Sequence, residues 1–515
     1  MSTATQGAIA AGHACTAAAG LEMLRLGGNA FDAAAAAVLA ACVAEPGLTS
    51  LAGGGFLLAH TPQRNVLFDF FTQTPRHKRP IDQVDFFPVT VNFGKAVQDF
   101  HIGLGAIAVP GTIGGIYHVQ QTLGRLPFAV VTEPAIHYAK TGVEVNAFQA
   151  YCFQLLEPIL LRDPAMRQVY APTGVLAQQG DRLTMPDFAR TLEHLAQVGV
   201  EDFYRGELAH QLIADCQERG GYLTLEDLDQ YRVIERQPLA MQYRGKTFIT
   251  NPPPSSGGAL IGFSLALLNH VELSQMTAGS PDHVRLLAAV MRLTNQARKD
   301  GYDRRLYDPD VAQQFLAPAH LAAYAERLPV NKWGSTTHIS VVDREGNAAS
   351  VTSSNGEGCG YAIPGTGVMV NNMLGEADLH PHGFHSWTED VRISSMMAPT
   401  MILEGDRPSM VLGSGGSNRI RTAILQVISN HLDFGMDLET AVHHPRIHWE
   451  DGMMNIEPGF PSLDCDRQQF PFDQGVLQWE QQNMFFGGVH AVIRQPDGTL
   501  DGVGDRRRGG SVSLG

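Results

Sequence analysis

The chain has 515 residues, 44% hydrophobic and 17% charged, enough to bury a large core in two or three lobes and unlike a disordered or collagen-like composition. Its formal charge of −15 argues against a nucleic-acid partner, because phosphate binding needs concentrated Lys and Arg, and reads as ordinary solubility. No run reaches the ~18 uninterrupted apolar residues of a membrane span; Cys15, Cys42, Cys152, Cys216, Cys359 and Cys465 form no CxxC pair; and Met1 to Gln6 shows no signal-like pattern, so neither a membrane partner nor a disulfide or zinc scaffold is expected, and the cytoplasm is the expected location unless the start was trimmed.

Residues 15–26 carry helical spacing and stop at Gly27-Gly28. Asn29 caps a second helix with Asp32 in its first turn, running through Ala33 to about Val43. This segment is nearly all Ala, Val and Leu, and a helix apolar on every side is a buried one. Glu45-Pro46-Gly47 ends it. Gly53-Gly54-Gly55-Phe56 opens a strand to Ala59, with Val66 to Phe71 as its partner. Residues 106–330 read as mostly helical, with amphipathic helices at Leu183–Val198 and Glu207–Arg219, and a helix start at Thr224-Leu225-Glu226-Asp227. A rigid loop, Asn251-Pro252-Pro253-Pro254-Ser255-Ser256-Gly257-Gly258, precedes another helix. From 336 onward strands and turns take over, with a helix near Ile420 to Leu432. The pattern is layered α/β, with buried sheets and helices outside.

Thr336 stands at the doorstep of the alternating run Thr337 to Asp343, and a second run, Asn347 to Ser354, follows a short turn. If Arg344-Glu345-Gly346 is a three-residue loop, Asp343 pairs with Asn347 and Thr336 lies opposite Ser354; a two-residue loop sets Thr336 opposite Asn355. Either register gathers hydroxyls and an amide at the open end of one hairpin. A threonine hydroxyl is a weak nucleophile that needs an adjacent base, and its own α-amine, with an ordinary pKa of about 8, is one. Thr336 acquires that amine only if the Ser335–Thr336 bond is cut, and the same hydroxyl can make the cut by attacking the Ser335 carbonyl. Alone, Thr-Thr-His at a strand start is ordinary β-propensity.

Three segments add to it. Val411 to Ile420, with Gly413-Ser414-Gly415-Gly416-Ser417 at its centre, reads strand, glycine turn, helix, whose backbone N–H groups suit an oxyanion or a phosphate. Ser394-Ser395 precede an apolar strand and suit a carboxylate. Asn371-Asn372-Met373-Leu374-Gly375-Glu376-Ala377-Asp378 offers amides and two carboxylates for an ammonium group. His380, His382 and His385 have a spacing that matches no closed metal site, so no metal and no cofactor is expected; His443 to His448 reads as a helix end and a strand.

Together the chain resembles the γ-glutamyltranspeptidase family of N-terminal-nucleophile hydrolases over nearly its whole length. The resemblance rests on Gly27 to Ala34, Gly53 to Phe56, Val109-Pro110-Gly111-Thr112, Pro252 to Gly258, Thr336-Thr337-His338, Asn371-Asn372, Ser394-Ser395-Met396 and Gly415-Gly416-Ser417, in the family's order. It implies a four-layer αββα sandwich made from a precursor that cuts itself between Ser335 and Thr336, giving a large subunit 1–335 and a small subunit 336–515 interlocked in one fold. By position, Thr336 is the nucleophile that takes an acyl group from a γ-glutamyl amide, and Ser354 supports it. Gly415 and Gly416 form the oxyanion hole, Ser394 and Ser395 hold the α-carboxylate, and Glu376, with Asp378 as alternative, holds the α-amine. Water or an acceptor amine resolves the acyl-enzyme.

Two positions depart from the family. Phe71 in Asp69-Phe70-Phe71-Thr72 takes the place of an arginine that pairs with the α-carboxylate, with Arg76 or Arg392 as possible substitutes. Gly356 takes the place of Asn or Glu, with Asn355 and Glu357 flanking it as shifted polar groups. The segment between Asp378 and Ser394 is short, which implies an open site. These departures keep two alternatives in view: an acylase on a non-glutamyl donor, and an uncleaved, non-catalytic binding protein on the same scaffold. A nucleotide enzyme using residues 413–418 lacks a partner lysine after the glycines.

Overall fold

A computed structural model describes residues 7–92, 97–324, 336–380, 383–450, 452–460 and 475–515. Two antiparallel sheets form its centre. The first has seven strands in the order Ser511–Leu514, Gly7–Ala11, Thr337–Asp343, Ala348–Ser354, Gly54–His60, Asn65–Phe70 and Ile234–Arg236. The second has six, in the order Leu500–Val503, Gly488–Arg494, Arg407–Gly415, Thr400–Glu404, Lys246–Thr250 and Leu239–Tyr243. The sheets face each other, with Thr337–Asp343 and Ala348–Ser354 against Arg407–Gly415. Helices Ala14–Arg25 and Ala30–Ala44 cover the first sheet, and Gly257–Leu268 and Arg419–Leu432 belong to the layer on the second. This is the four-layer αββα arrangement. Among the described residues no helix is long and apolar enough to cross a membrane.

Local sequence explains the layer that holds the hairpin. The Ala30–Ala44 helix is buried along its whole length. Its Leu and Val side chains each contribute about 1.5–3 kcal/mol by leaving water. Asn29 Oδ1 accepts from the N–H groups of Phe31 and Asp32, while Asp32 Oδ2 accepts from the Asn29 N–H, a complete capping box. Asp32 also accepts from the N–H groups of Arg125 and Leu126 and from Gln120 Nε2, so the cap anchors a second segment. The strand Thr337–Asp343 divides its side chains by the two-residue period. Ile339 and Val341 pack into the core that contains the Ala30–Ala44 helix, and Val342 packs into the core between the sheets.

Two expectations change. The region 106–330 is helical in most parts but supplies the strands Ile234–Arg236, Leu239–Tyr243 and Lys246–Thr250. These are short, polar on their outer sides and interrupted at Pro238, and two of them lie at sheet edges, so their periodicity is weak. The helix expected from Leu183 begins at Pro186, because Leu183 belongs to a two-residue strand with Arg182. The helices Glu207–Arg219 and Thr224-capped Leu225–Asp229 lie where expected.

Candidate active site

The hairpin takes the three-residue loop. Asp343 N–H donates to Asn347 O at 3.0 Å, Gly346 sits at φ 87°, and Thr337 pairs with Ser353. Thr336, one step beyond, therefore lies opposite Ser354. The turn is fixed by Asp343, whose Oδ1 accepts from the N–H groups of Glu345 and Asn347 and whose Oδ2 accepts from Asn347 Nδ2 and the Ala30 N–H. Thr336 and Ser354 are both 4% exposed and line one chamber, together with Phe71, Glu376, Asp378 and Ser395. Methionines 373, 396 and 397 supply much of its apolar wall.

The backbone around Thr336 is held on both sides. Arg508 Nη1 donates to the Thr336 carbonyl at 3.1 Å. Gly415 packs against that carbonyl so closely that a Cβ there would sit 1.9 Å from it, which excludes every other residue. Next in the chain, Thr337 Oγ1 donates to Glu45 Oε2 at 2.7 Å, and Thr16 Oγ1 donates to Glu45 Oε1 at 2.9 Å. Burial pushes the Glu45 carboxyl up to about 6 against those hydrogen bonds. His338 points between the sheets, its Nδ1 2.8 Å from Thr352 Oγ1 and its Nε2 3.0 Å from Ser340 Oγ. Burial holds its pKa well below the usual range, so it is a neutral structural group rather than a base for Thr336.

The glycine turn follows directly. The strand Arg407–Gly415 ends at Gly415, Gly416 takes φ 119°, Ser417 takes φ 48°, and the helix begins at Arg419. Among the described residues no acceptor takes the Gly416 N–H. Ser395 lines the chamber, while Ser394 is half-buried and lines a neighbouring cavity. The proline-rich loop holds this pair in place. Ser255 Oγ donates to the carbonyls of Ser395 and Met397, Ser256 N–H donates to Ser395 O at 2.7 Å, and Asn251 Nδ2 donates to Met397 O.

The acidic groups form a crowded cluster. Glu376 is buried at the chamber wall; burial first, then the neighbouring Glu357 and Asp378, push its carboxyl well above the usual range. Asp378 is pushed up to about 7 by burial, against the Ser417 hydroxyl hydrogen bond and the Arg419 charge. Gly356 has φ 60°, and a Cβ there would meet Asn372 Oδ1 at 2.1 Å. Of its two flanking residues, Glu357 is the one beside Glu376. Asn355 is fully buried and does not line the chamber.

Neither substitute arginine reaches the chamber. Arg392 is buried behind Phe71, bonded to the Phe71 carbonyl, to Tyr231 Oη at 2.6 Å and to Arg232 O at 2.6 Å, and paired with Asp69. Arg76 pairs with Asp390 at 2.6 Å. Phe71 stacks on Phe56 with centroids 5.3 Å apart and fills the position. Among the described residues no Lys or Arg lines the chamber. Of the three clustered histidines, His380 Nε2 donates to Met373 O at 2.9 Å, and His385 Nδ1 lies 2.8 Å from Tyr222 Oη. His382 lies outside the described residues, as do Ser335 and Cys465.

Three residues here went unnoticed in the sequence. Glu45 reads as a helix end, although an acid closing an otherwise apolar helix is itself a signal. Arg508 sits in the run Arg506-Arg507-Arg508, which suggests a solvated face, and Glu357 had weight only as a neighbour of Gly356.

Comparison with known proteins bears on the whole chain. The sequence model of the gamma-glutamyltranspeptidase family matches residues 16–515. The chain is 32% identical to the acylase ACY 1 proenzyme of Pseudomonas sp. (strain V22), over 99% of this chain and 93% of that protein. It is 29% identical to the glutathione hydrolase proenzyme of Escherichia coli (strain K12), over 98% of this chain and 91% of that protein. Among solved structures, cephalosporin acylase from Bacillus halodurans aligns with a TM-score of 0.85 at 25% identity, covering 99% of this chain and 96% of the other.

Proposed function

Since the chain belongs to the gamma-glutamyltranspeptidase family of amide-cleaving enzymes, we propose that it is a self-processing acylase in which Thr336 is the nucleophile and the acyl donor carries no free α-carboxylate. The αββα sandwich is the scaffold of that enzyme class.

In the first step Thr336 Oγ attacks the Ser335 carbonyl, the peptide nitrogen leaves as the α-amine of Thr336, and water hydrolyses the resulting ester. The products are a large subunit, 1–335, and a small one, 336–515. The freed amine, with an ordinary pKa of about 8, then takes the Oγ proton as Oγ adds to the donor amide carbon. Negative charge develops on the carbonyl oxygen, where the Gly415 and Gly416 N–H groups are suited to meet it. The donor nitrogen leaves with the proton. Water or an acceptor amine adds to the Thr336 ester and releases the acyl group. Ser354, opposite Thr336 in the hairpin, supports the nucleophilic hydroxyl.

The observation that carries the donor assignment is the cation-free chamber. Phe71 fills the place of a carboxylate-binding arginine, and Arg392 and Arg76 are engaged elsewhere. Losing a charge-assisted contact of that kind costs about 2–3 kcal/mol, roughly a hundredfold in affinity. The similarity to an acylase proenzyme supports the same reading. A γ-glutamyl donor is the second reading, favoured by Glu376 and Asp378 as an ammonium site and by Ser394 and Ser395.

The test is a panel of butyryl, glutaryl and γ-glutamyl 4-nitroanilides with the purified protein, alongside the mass of its small fragment. A fragment beginning at Thr336 and the highest kcat/KM for the butyryl donor are expected. A γ-glutamyl preference selects the second reading. A folded, full-length, inactive protein overturns both and leaves a binding protein.

A further inference from the structure

A second cavity adjoins the Thr336 chamber. Leu379 lines both cavities. The Ile393–Met396 segment runs along the division: Ser395 and Met396 face the first cavity, Ile393 and Ser394 the second. Nothing in the catalytic reading uses the second cavity. Leu306, Tyr307, Trp387 and Ile393 supply its apolar wall, and Thr74, Ser386, Thr388 and Ser394 supply hydroxyls.

Among the described residues, its acid and its histidine carry no net charge that a ligand could exploit. Asp303 is neutralised by Arg298, whose Nε donates to both carboxylate oxygens at 2.9 and 2.8 Å. His380 is neutral, its pKa pushed down to about 4 by burial. An uncharged ligand suits such a wall. Trp387 adds a flat aromatic face, and the side chain is only 7% exposed. Its ring is fixed by Tyr222, packed edge-on at 5.2 Å, and by Lys78 Nζ, 4.6 Å from its centroid, neither of which lines the cavity. A ring held in this way offers a fixed surface for an aromatic group to pack against.

We infer that the second cavity is a specificity subsite for the distal end of the acyl group, taking an uncharged, aromatic extension. This rests on the proposed acylase reading: an acyl group on Thr336 that extends along Ser395 reaches the division between the two cavities. An acyl chain longer than a glutamyl group then passes Leu379 and enters the second cavity.

The experiment compares acetyl, 5-phenylpentanoyl and 4-phenoxybutyryl 4-nitroanilides, the last two differing by an ether oxygen in place of a methylene. Ser386→Trp, on the exposed rim of the second cavity, is the plug, and Trp387→Phe removes the indole fluorophore from its wall. The aryl donors should exceed the acetyl donor by at least about tenfold in kcat/KM. Ser386→Trp should remove that advantage and leave acetyl turnover within about twofold, the spread expected of a surface change. Trp387→Phe, which keeps an aromatic ring in that wall, should leave both aryl donors within about threefold. Equal turnover of all three donors, or an aryl preference untouched by Ser386→Trp, overturns the subsite. Titration of 4-phenoxybutyramide, followed by the change in tryptophan fluorescence that Trp387→Phe removes, reads the cavity without turnover. Binding without hydrolysis of any anilide retains the cavity and refutes the acylase; hydrolysis without binding does the reverse.

Discussion

Arg508 reaches across from the end of the chain to donate to the carbonyl of Thr336 at 3.1 Å, while its Nη2 donates to Met484 O at 3.2 Å. This places a buried guanidinium behind the peptide that must hold the nucleophile still. Replacing it by Leu leaves two buried carbonyls short of a donor, at about 1–3 kcal/mol each. We expect Arg508→Leu to accumulate uncut precursor on a denaturing gel and to lower Tm by several degrees. Gly415→Ala acts on the same carbonyl by collision. It should block cutting outright and lower Tm as well, because the contact is with backbone that cannot turn aside.

Thr336→Ala should remain full length and inactive, and Thr336→Ser should cut and turn over slowly. Ser354→Ala should lower kcat about tenfold, as expected for one lost hydrogen bond at a reacting group. Ser354→Thr should recover most of it. Ser354 Oγ also accepts the Gly356 N–H at 3.0 Å, so a modest fall in Tm for Ser354→Ala accompanies the rate effect.

The acidic cluster gives the protein a pH-dependent stability of definite sign. Asp378 is raised to about 7 from an ordinary value of about 4, and burial beside Glu357 and Asp378 raises Glu376 well above the usual carboxylate range. The folded state therefore keeps protons that the unfolded state releases. The stability linked to Asp378 is complete below about pH 4 and is lost as the pH rises through about 7. Glu45, raised to about 6, adds a loss of the same sign over a lower window. In thermal melts from pH 5 to pH 8, Asp378→Asn should lose less Tm than the parent protein. An equal or larger loss for the variant would contradict the assignment.

Phe71→Arg tests why the chamber lacks a cation. An arginine there faces Glu376 and restores a carboxylate partner. The glutaryl-to-butyryl ratio of kcat/KM should rise by about 10- to 100-fold, the worth of one charge-assisted contact. Because the readout is a ratio within one variant, a general loss of activity does not obscure it.

Gly413 lies under the His338 ring, where an added Cβ would come within 2.2 Å of Cε1. The ring is held at both nitrogens and cannot turn aside. Gly413→Ala should therefore cost about 1–3 kcal/mol of overpacking, seen as a lower denaturant midpoint.

Much of this was readable from local chemistry. The Asn29 cap, the buried Ala30–Ala44 helix and the Glu207–Arg219 helix follow from spacing and capping residues alone. The hairpin register followed from counting, once the loop length was chosen, and Gly346 at φ 87° explains the choice. The strands between residues 234 and 250 were hidden because edge strands of three to five residues carry few alternations. Glu45, Glu357 and Arg508 were hidden for a different reason. Each matters through a contact that spans 19 to 292 residues of chain, Glu45 to Thr337 being the longest, and no local pattern marks such a partner. Phe71 was legible as a departure, but only the packing of Arg392 beneath it shows that the missing charge is not supplied from that side.

The strand Gly7–Ala11 lies between Thr337–Asp343 on one side and Ser511–Leu514 on the other, both from beyond the proposed cleavage point. Ala348–Ser354 is paired on one edge with Gly54–His60, from before it. A cut ahead of Thr336 would thus make two polypeptides whose hydrogen-bond ladders are woven through one sheet. They could part only by unzipping the centre of the molecule. Cleavage in this architecture would create a new chain end without creating a dissociable subunit.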